Sequence, residues 1–204
     1  MDDRSFVALL YLKFILSTAL FLSAMLGVIS PILIFSVFVF MLLVSTRSQY
    51  GLDGAYQMNL VVLFGLTIAT FSGLHSKISS ICLWFICGEL VLSYFISGIA
   101  KAISPIWRKT YALNAVFSTK TYGHEGMFNI VTKYKHLAFI LCWPMFLFEL
   151  FFPSAFFSEY LCVIFCLIGI SFHLFNAVFM GLNTFFFAFL STYPAFIYCV
   201  AKLN

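Results

Sequence analysis

Apolar runs long enough to cross a membrane fill most of this chain and limit its fold more than any other feature. One of them extends from Ile81 to about Ala102, and a hydrocarbon core about 30 Å thick needs about 20 apolar residues. Backbone polar groups in lipid need partners within the protein, which leaves a helix bundle or a closed barrel. Barrel strands are short and alternate in polarity, whereas these runs are long and apolar on every side. The sequence therefore predicts an all-α, polytopic transmembrane helix bundle.

Composition supports the same class of protein. Of the 204 residues, 63% are hydrophobic and only 9% are charged, whereas a soluble domain carries about 25% charged residues. We therefore expect a multi-pass integral protein of the cell membrane, with lipid as its main partner. The net charge of +4 is scattered, which suits anionic lipid headgroups and argues against nucleic acid. The N-terminal MDDRS carries no basic leader, so we expect the first run to be retained as a span.

Breaks between the apolar runs predict six or seven spans. A stretch from Tyr160 to Ala201 is too long for one crossing. A break near Gly181–Asn183 gives seven spans, and a single bent helix gives six. The other predicted spans are Phe6–Leu26, Ile32–Val44, Gln57–Leu74, Ile81–Ala102 and Leu137–Phe152.

Between the fourth and fifth spans lies a polar segment, Ile103–His136, in which basic and aromatic residues alternate. This mixture predicts an interfacial segment lying on the bundle. Arg4, Arg47 and the basic residues of this segment fall on one side of the predicted membrane, which predicts a cytoplasmic N-terminus. We treat residues 1–204 as one transmembrane domain.

Ionisable residues inside apolar spans are candidates for function, because a charge there costs about 2.5–3.5 kcal/mol on insertion scales. Lys101 ends the fourth span. Either its ammonium reaches the headgroups, or burial favours the neutral amine, which serves as a general base. Glu149 lies in the fifth span and either is protonated and hydrogen-bonded or pairs with a lysine or histidine across a pocket.

His173 and Asn176 lie one helical turn apart in the last apolar stretch. They either join two helices by hydrogen bonds or orient a substrate and stabilise developing negative charge. The four histidines show no spacing that fixes a metal, and no metal site is predicted. The six cysteines form no CxxC pair, which argues against a thiol–disulfide oxidoreductase.

Two stretches resemble the vitamin K-dependent gamma-glutamyl carboxylases. YFISGIAKAISPIW, Tyr94–Trp107, is similar to their lysine-bearing segment, with an aromatic pair, a glycine, a lysine and a tryptophan. FHLFNAVFMGLNTFFFAFLSTYP, Phe172–Pro194, is similar to their helix that starts Phe-His and carries an asparagine three residues on. The chain is thus identified over about Gln57–Asn204 as similar to the horizontally transferred transmembrane (HTTM) family. Its bacterial members include the sporulation-delaying protein B type, implicated in maturing a secreted peptide toxin.

The resemblance implies particular roles for residues of this chain. Lys101 falls at the catalytic lysine base and His173 at a substrate-pocket histidine, so both are predicted to be catalytic. Asn176, Trp107 and Glu149 are predicted to bind the substrate. The cofactor is unknown, and a reduced quinone is implied by the resemblance alone. Gln57 stands where the carboxylases carry a further histidine, one extra residue precedes Trp107, and we expect no propeptide-binding domain because the chain ends at Asn204.

The sequence leaves three functions open. The first is a membrane enzyme that modifies or matures a small secreted peptide of the toxin type. The second is a non-catalytic membrane partner, an immunity or assembly factor that binds a hydrophobic peptide or a second subunit. A transporter is the third alternative, although the chain shows no paired repeats.

Overall fold

A computed structural model describes residues 2–47 and 53–204, and within these ranges the chain is helical with no β-strand. Within residues 2–47 and 53–204, six helical segments are long and apolar enough to cross a membrane, which confirms the predicted all-α polytopic fold. The helices are α1 (Asp3–Met25), α2 (Pro31–Ser45), α3 (Gly54–Phe71), α4 (Lys77–Ile103), α5 (Pro105–Arg108), α6 (Tyr111–Phe117), α7 (Glu125–Lys133), α8 (Lys135–Phe151), α9 (Glu159–Met180), α10 (Asn183–Leu190) and α11 (Tyr193–Leu203).

The predicted break in the last apolar stretch is confirmed. Helix α9 ends at Met180, and Gly181 follows with φ of 71°, the left-handed conformation that ends many helices. Helices α10 and α11 then form one further apolar segment of membrane length, Asn183–Leu203. The second predicted span corresponds to α2, which has 15 residues and is shorter than the other six segments.

The chain folds into two compact units, Met1–Ile86 and Cys87–Asn204. In the first unit, side chains at the helix starts accept hydrogen bonds from backbone N–H groups, as Asp2 does from Ser5 and Asp53 from Tyr56. The Tyr56 hydroxyl of α3 donates a hydrogen bond to the Met41 carbonyl of α2 at 2.5 Å. No residue of α1 is buried, although most of its side chains are apolar. That exposure is the surface expected of a helix that faces lipid.

The second unit contains the polar segment between the fourth and fifth spans. Three short helices, α5 to α7, form this segment. Apolar residues of α6 and α7, among them Leu113, Phe117 and Val131, pack into one buried cluster with Ala138 and Cys142 of α8. The segment therefore lies against the helical bundle, as the sequence predicted.

Proline fixes where this segment starts. Pro105 has no backbone N–H, so α4 ends at Ile103 and the chain restarts as α5. The turn leaves Lys101 in the last turn of α4 and places Trp107 beside it in α5.

Candidate functional site

A cavity of about 490 Å³ lies within the second unit, between α4, the α5–α6 region, α8 and α9. Its volume is in the range of small-molecule sites, about 300–1,000 Å³. Most of its wall is apolar, including Phe148 and Phe172. The polar residues that line it are Lys101, Trp107, Ser171 and Asn176. The cavity therefore suits an apolar ligand that carries a polar group at one end.

The Lys101 ammonium lies against Glu149 rather than extending away from the protein. Its Nζ donates a hydrogen bond to Glu149 Oε1 at 2.6 Å and also contacts Oε2. A second hydrogen bond goes to the Ser97 hydroxyl, one turn earlier in α4, at 2.7 Å. The side chains of Lys101 and Glu149 are only 14% and 4% exposed. The structure thus pairs Glu149 with a lysine, which is one of the alternatives that the sequence left open.

Close approach of two helices makes this pair possible. A Cβ added to Gly98 would lie 2.7 Å from Leu150 Cα and 2.9 Å from the Glu149 carbonyl carbon. Contacts that short are not tolerated, so only glycine lets the backbone of α4 approach α8 to this distance. This approach places Lys101 beside Glu149 at the edge of the cavity.

Trp107 completes the surroundings of the ammonium. Its ring centroid lies 5.3 Å from Lys101 Nζ, within the range of a cation–π contact. Asn176 lines the same cavity from α9. Four of the five predicted site residues, Lys101, Glu149, Trp107 and Asn176, are therefore at or beside the cavity.

His173 lies elsewhere, behind the cavity wall. Its side chain is buried in a cluster with Tyr94 and Tyr193, and the Phe189 ring stacks on it at a centroid distance of 4.3 Å. His173 Nε2 lies 2.9 Å from the Tyr94 hydroxyl, which lies 2.9 Å from the Tyr193 hydroxyl. His173 is not among the residues that line the cavity, whereas its neighbour Phe172 is. The amine and the imidazole thus belong to adjoining sites, one polar and one largely aromatic.

The sequence analysis predicted no role for two tyrosines and a serine of these sites. Tyr94 and Ser97 share α4 with Lys101, and Tyr94 is one of the aromatic pair in the carboxylase-like stretch. Their hydroxyls carry no charge, so a search for ionisable residues in apolar runs passes over them.

Among the described residues, no group of three or more histidine, cysteine or acidic side chains is placed to hold a metal ion. Comparisons with protein-family models, with curated proteins and with solved structures found no match to this chain. The chain is an integral membrane protein by its fold. The candidate site is therefore the basis for inferring its activity.

Proposed function

We propose that this protein is a membrane enzyme of the HTTM type that removes a proton from an apolar ligand during modification of a small secreted peptide. The observation that supports this proposal best is the buried Lys101–Glu149 pair at the edge of an apolar cavity. A lysine and a carboxylate are expensive to bury in lipid, and intramembrane pairs of this kind usually serve a function.

Lys101 is the proposed base. Lys101 and Glu149 share a direct hydrogen bond, and the proton of such a bond between an amine and a carboxyl group can rest on either partner. When Glu149 holds the proton, the Lys101 amine has a free lone pair and can accept a proton from the ligand. The mostly apolar walls lower the effective dielectric constant around Lys101, which strengthens each electrostatic interaction inside the cavity.

Other residues at the cavity have supporting roles in this proposal. The face of the Trp107 ring stabilises the ammonium that forms when Lys101 accepts a proton. The Asn176 amide can donate a hydrogen bond to an anionic oxygen of the ligand. Lys101 and Asn176 thus act on opposite products of one proton transfer.

A reduced quinone, the cofactor class that the family resemblance implies, fits this set of residues. Phe148 and Phe172 offer flat apolar walls, and Lys101 and Asn176 offer polar contacts for ring oxygens. When bound, such a cofactor would supply an ionisable hydroxyl and reducing electrons. The chain's own part is to hold the ring and to accept the proton at Lys101 Nζ.

A second candidate function is a non-catalytic partner for a hydrophobic peptide or a second subunit, as in immunity or assembly. Helix α1 favours it, because none of its 23 residues is buried within the protein. A transmembrane helix with so much free surface can pack against another helix as well as against lipid.

Mass spectrometry of a co-expressed small secreted peptide separates the two functions. The enzyme predicts a peptide of changed mass with the wild-type protein and with Lys109→Met, an exposed lysine in the polar segment, but not with Lys101→Met. Full modification by inserted Lys101→Met would refute the proposed base. A peptide of unchanged mass that is recovered only when this protein is present would support the partner function instead.

A further inference from the structure

The buried cluster of His173, Tyr94 and Tyr193 contains one atom without a partner. His173 is 4% exposed, and its Nδ1 has no hydrogen-bond partner among the described residues. Its Nε2 bonds only to the Tyr94 hydroxyl, which also meets the Tyr193 hydroxyl. A buried polar atom left unpaired is destabilising, so the direction of these hydrogen bonds matters.

The two possible directions of these hydrogen bonds leave different numbers of buried polar groups without a partner. If the imidazole proton is on Nδ1, Tyr193 donates to Tyr94 and Tyr94 donates to His173 Nε2. Both hydroxyl protons are then used, and only the Nδ1–H group is left over. If the proton is on Nε2, it is donated to Tyr94, and a tyrosine hydroxyl proton and the bare Nδ1 are both left over. The first arrangement leaves one unsatisfied group and the second leaves two.

The buried surroundings also favour a neutral imidazole ring at His173. The groups that contact the ring are aromatic rings and the Tyr94 hydroxyl, with the rings of Tyr94, Phe172 and Phe189 within 5.8 Å by centroid. An imidazolium has no carboxylate among these neighbours, and an unpaired charge in such surroundings is strongly disfavoured.

We propose that Tyr94 is a positioning residue that holds His173 neutral, with its proton on Nδ1. The Nδ1–H group is then the one donor of this cluster that has no acceptor among the described residues. The tautomer itself does not depend on any activity.

The two tyrosines should differ in their effect, which makes a matched test. Tyr94→Phe removes the only donor to Nε2, so His173 should move toward the Nε2–H tautomer that free histidine prefers. Tyr193→Phe leaves the Tyr94 hydroxyl in place, with Nε2 as its remaining partner, so the Nδ1–H tautomer should persist. Each change removes a single oxygen atom and keeps the aromatic ring.

Solid-state ¹⁵N NMR of histidine-labelled protein in lipid bilayers reads the tautomer directly, and a His173→Gln variant assigns the signal. We expect the Nδ1–H form to dominate by roughly tenfold in the wild type and in Tyr193→Phe, and to become the minor form in Tyr94→Phe. A wild-type ring that is mainly Nε2–H or doubly protonated would overturn the proposal. An unchanged ring in Tyr94→Phe, or an equal switch in both variants, would also overturn it.

The NMR experiment and the peptide assay test different claims, so either claim can be refuted while the other stands. An inactive protein with the expected tautomers would refute the proposed enzyme and leave the role of Tyr94 intact. An active protein with the opposite tautomer would refute the role of Tyr94 alone.

Discussion

Lys101 and Glu149 depend on each other for their burial. Each charge alone would be costly in a membrane protein, whereas together they share two contacts and a hydrogen bond to Ser97. Removal of one partner leaves the other buried and uncompensated, while removal of both leaves an apolar contact. The stability of this region should therefore depend on the pair rather than on either residue.

A double-mutant cycle tests this dependence. We expect Lys101→Met to destabilise the protein by about 3–5 kcal/mol, because the Glu149 carboxylate loses its countercharge. The double variant Lys101→Met/Glu149→Leu should be within about 1 kcal/mol of the wild type or more stable. Reversible unfolding in detergent micelles measures the stability of the wild type, Lys101→Met, Glu149→Leu and the double variant. Strictly additive effects would show that the two side chains are not coupled.

The sequence predicted a role for both members of this pair and left open a pairing of Glu149 with a lysine or a histidine, but it did not identify Lys101 as the partner. An ionisable residue in an apolar run is conspicuous, which is why Lys101 and Glu149 stood out. They are 48 residues apart, and their contact depends on how α4 crosses α8, which no local pattern records. Tyr94 was missed for a different reason, since its hydroxyl becomes significant only beside His173, which is 79 residues away.

Helices α4 and α8 meet where a glycine removes the side chain between them. Gly98 lies against the backbone of Glu149 and Leu150, whereas Gly88, on the same helix, would have free space around an added Cβ. Alanine substitutions at these two positions therefore distinguish the effect of helix packing on stability from the effect of helix propensity, within one helix. This contrast is hidden in the sequence, in which both are single glycines in an apolar run.

Gly98→Ala should destabilise the protein by about 1–3 kcal/mol, because the new methyl group forces α4 away from α8. Gly88→Ala should change stability by less than about 1 kcal/mol, and in the stabilising direction. Thermal unfolding of both variants in the same detergent is the measurement. Equal effects at the two positions would mean that the close helix approach does not matter for stability.

At the scale of the whole molecule, the helical fold follows from the fact that the surrounding solvent is lipid. The chain has too few charged residues to cover a water-soluble surface, and its long apolar runs become helices because lipid offers no partners to the backbone. The predicted break at Gly181 also followed from sequence, since glycine adopts the left-handed conformation that ends α9. The cytoplasmic N-terminus and the single domain over residues 1–204 stay predictions.

The cavity could not be predicted in the same way. Its walls come from α4, α5, α6, α8 and α9, and its apolar residues look like any others in a membrane helix. The resemblance to the carboxylases placed Lys101 and His173 together as catalytic residues. The structure puts Lys101 at the cavity and His173 in the aromatic cluster behind it.

The most direct test of the account is peptide modification by the compensated double variant, Lys101→Met/Glu149→Leu. This protein should insert and remain as stable as the wild type, because no charge is left unpaired. We expect it to leave a co-expressed secreted peptide at its unmodified mass, while Lys109→Met modifies the peptide as the wild type does. Modification at the wild-type level by the stable double variant would contradict the claim that this buried pair performs the chemistry.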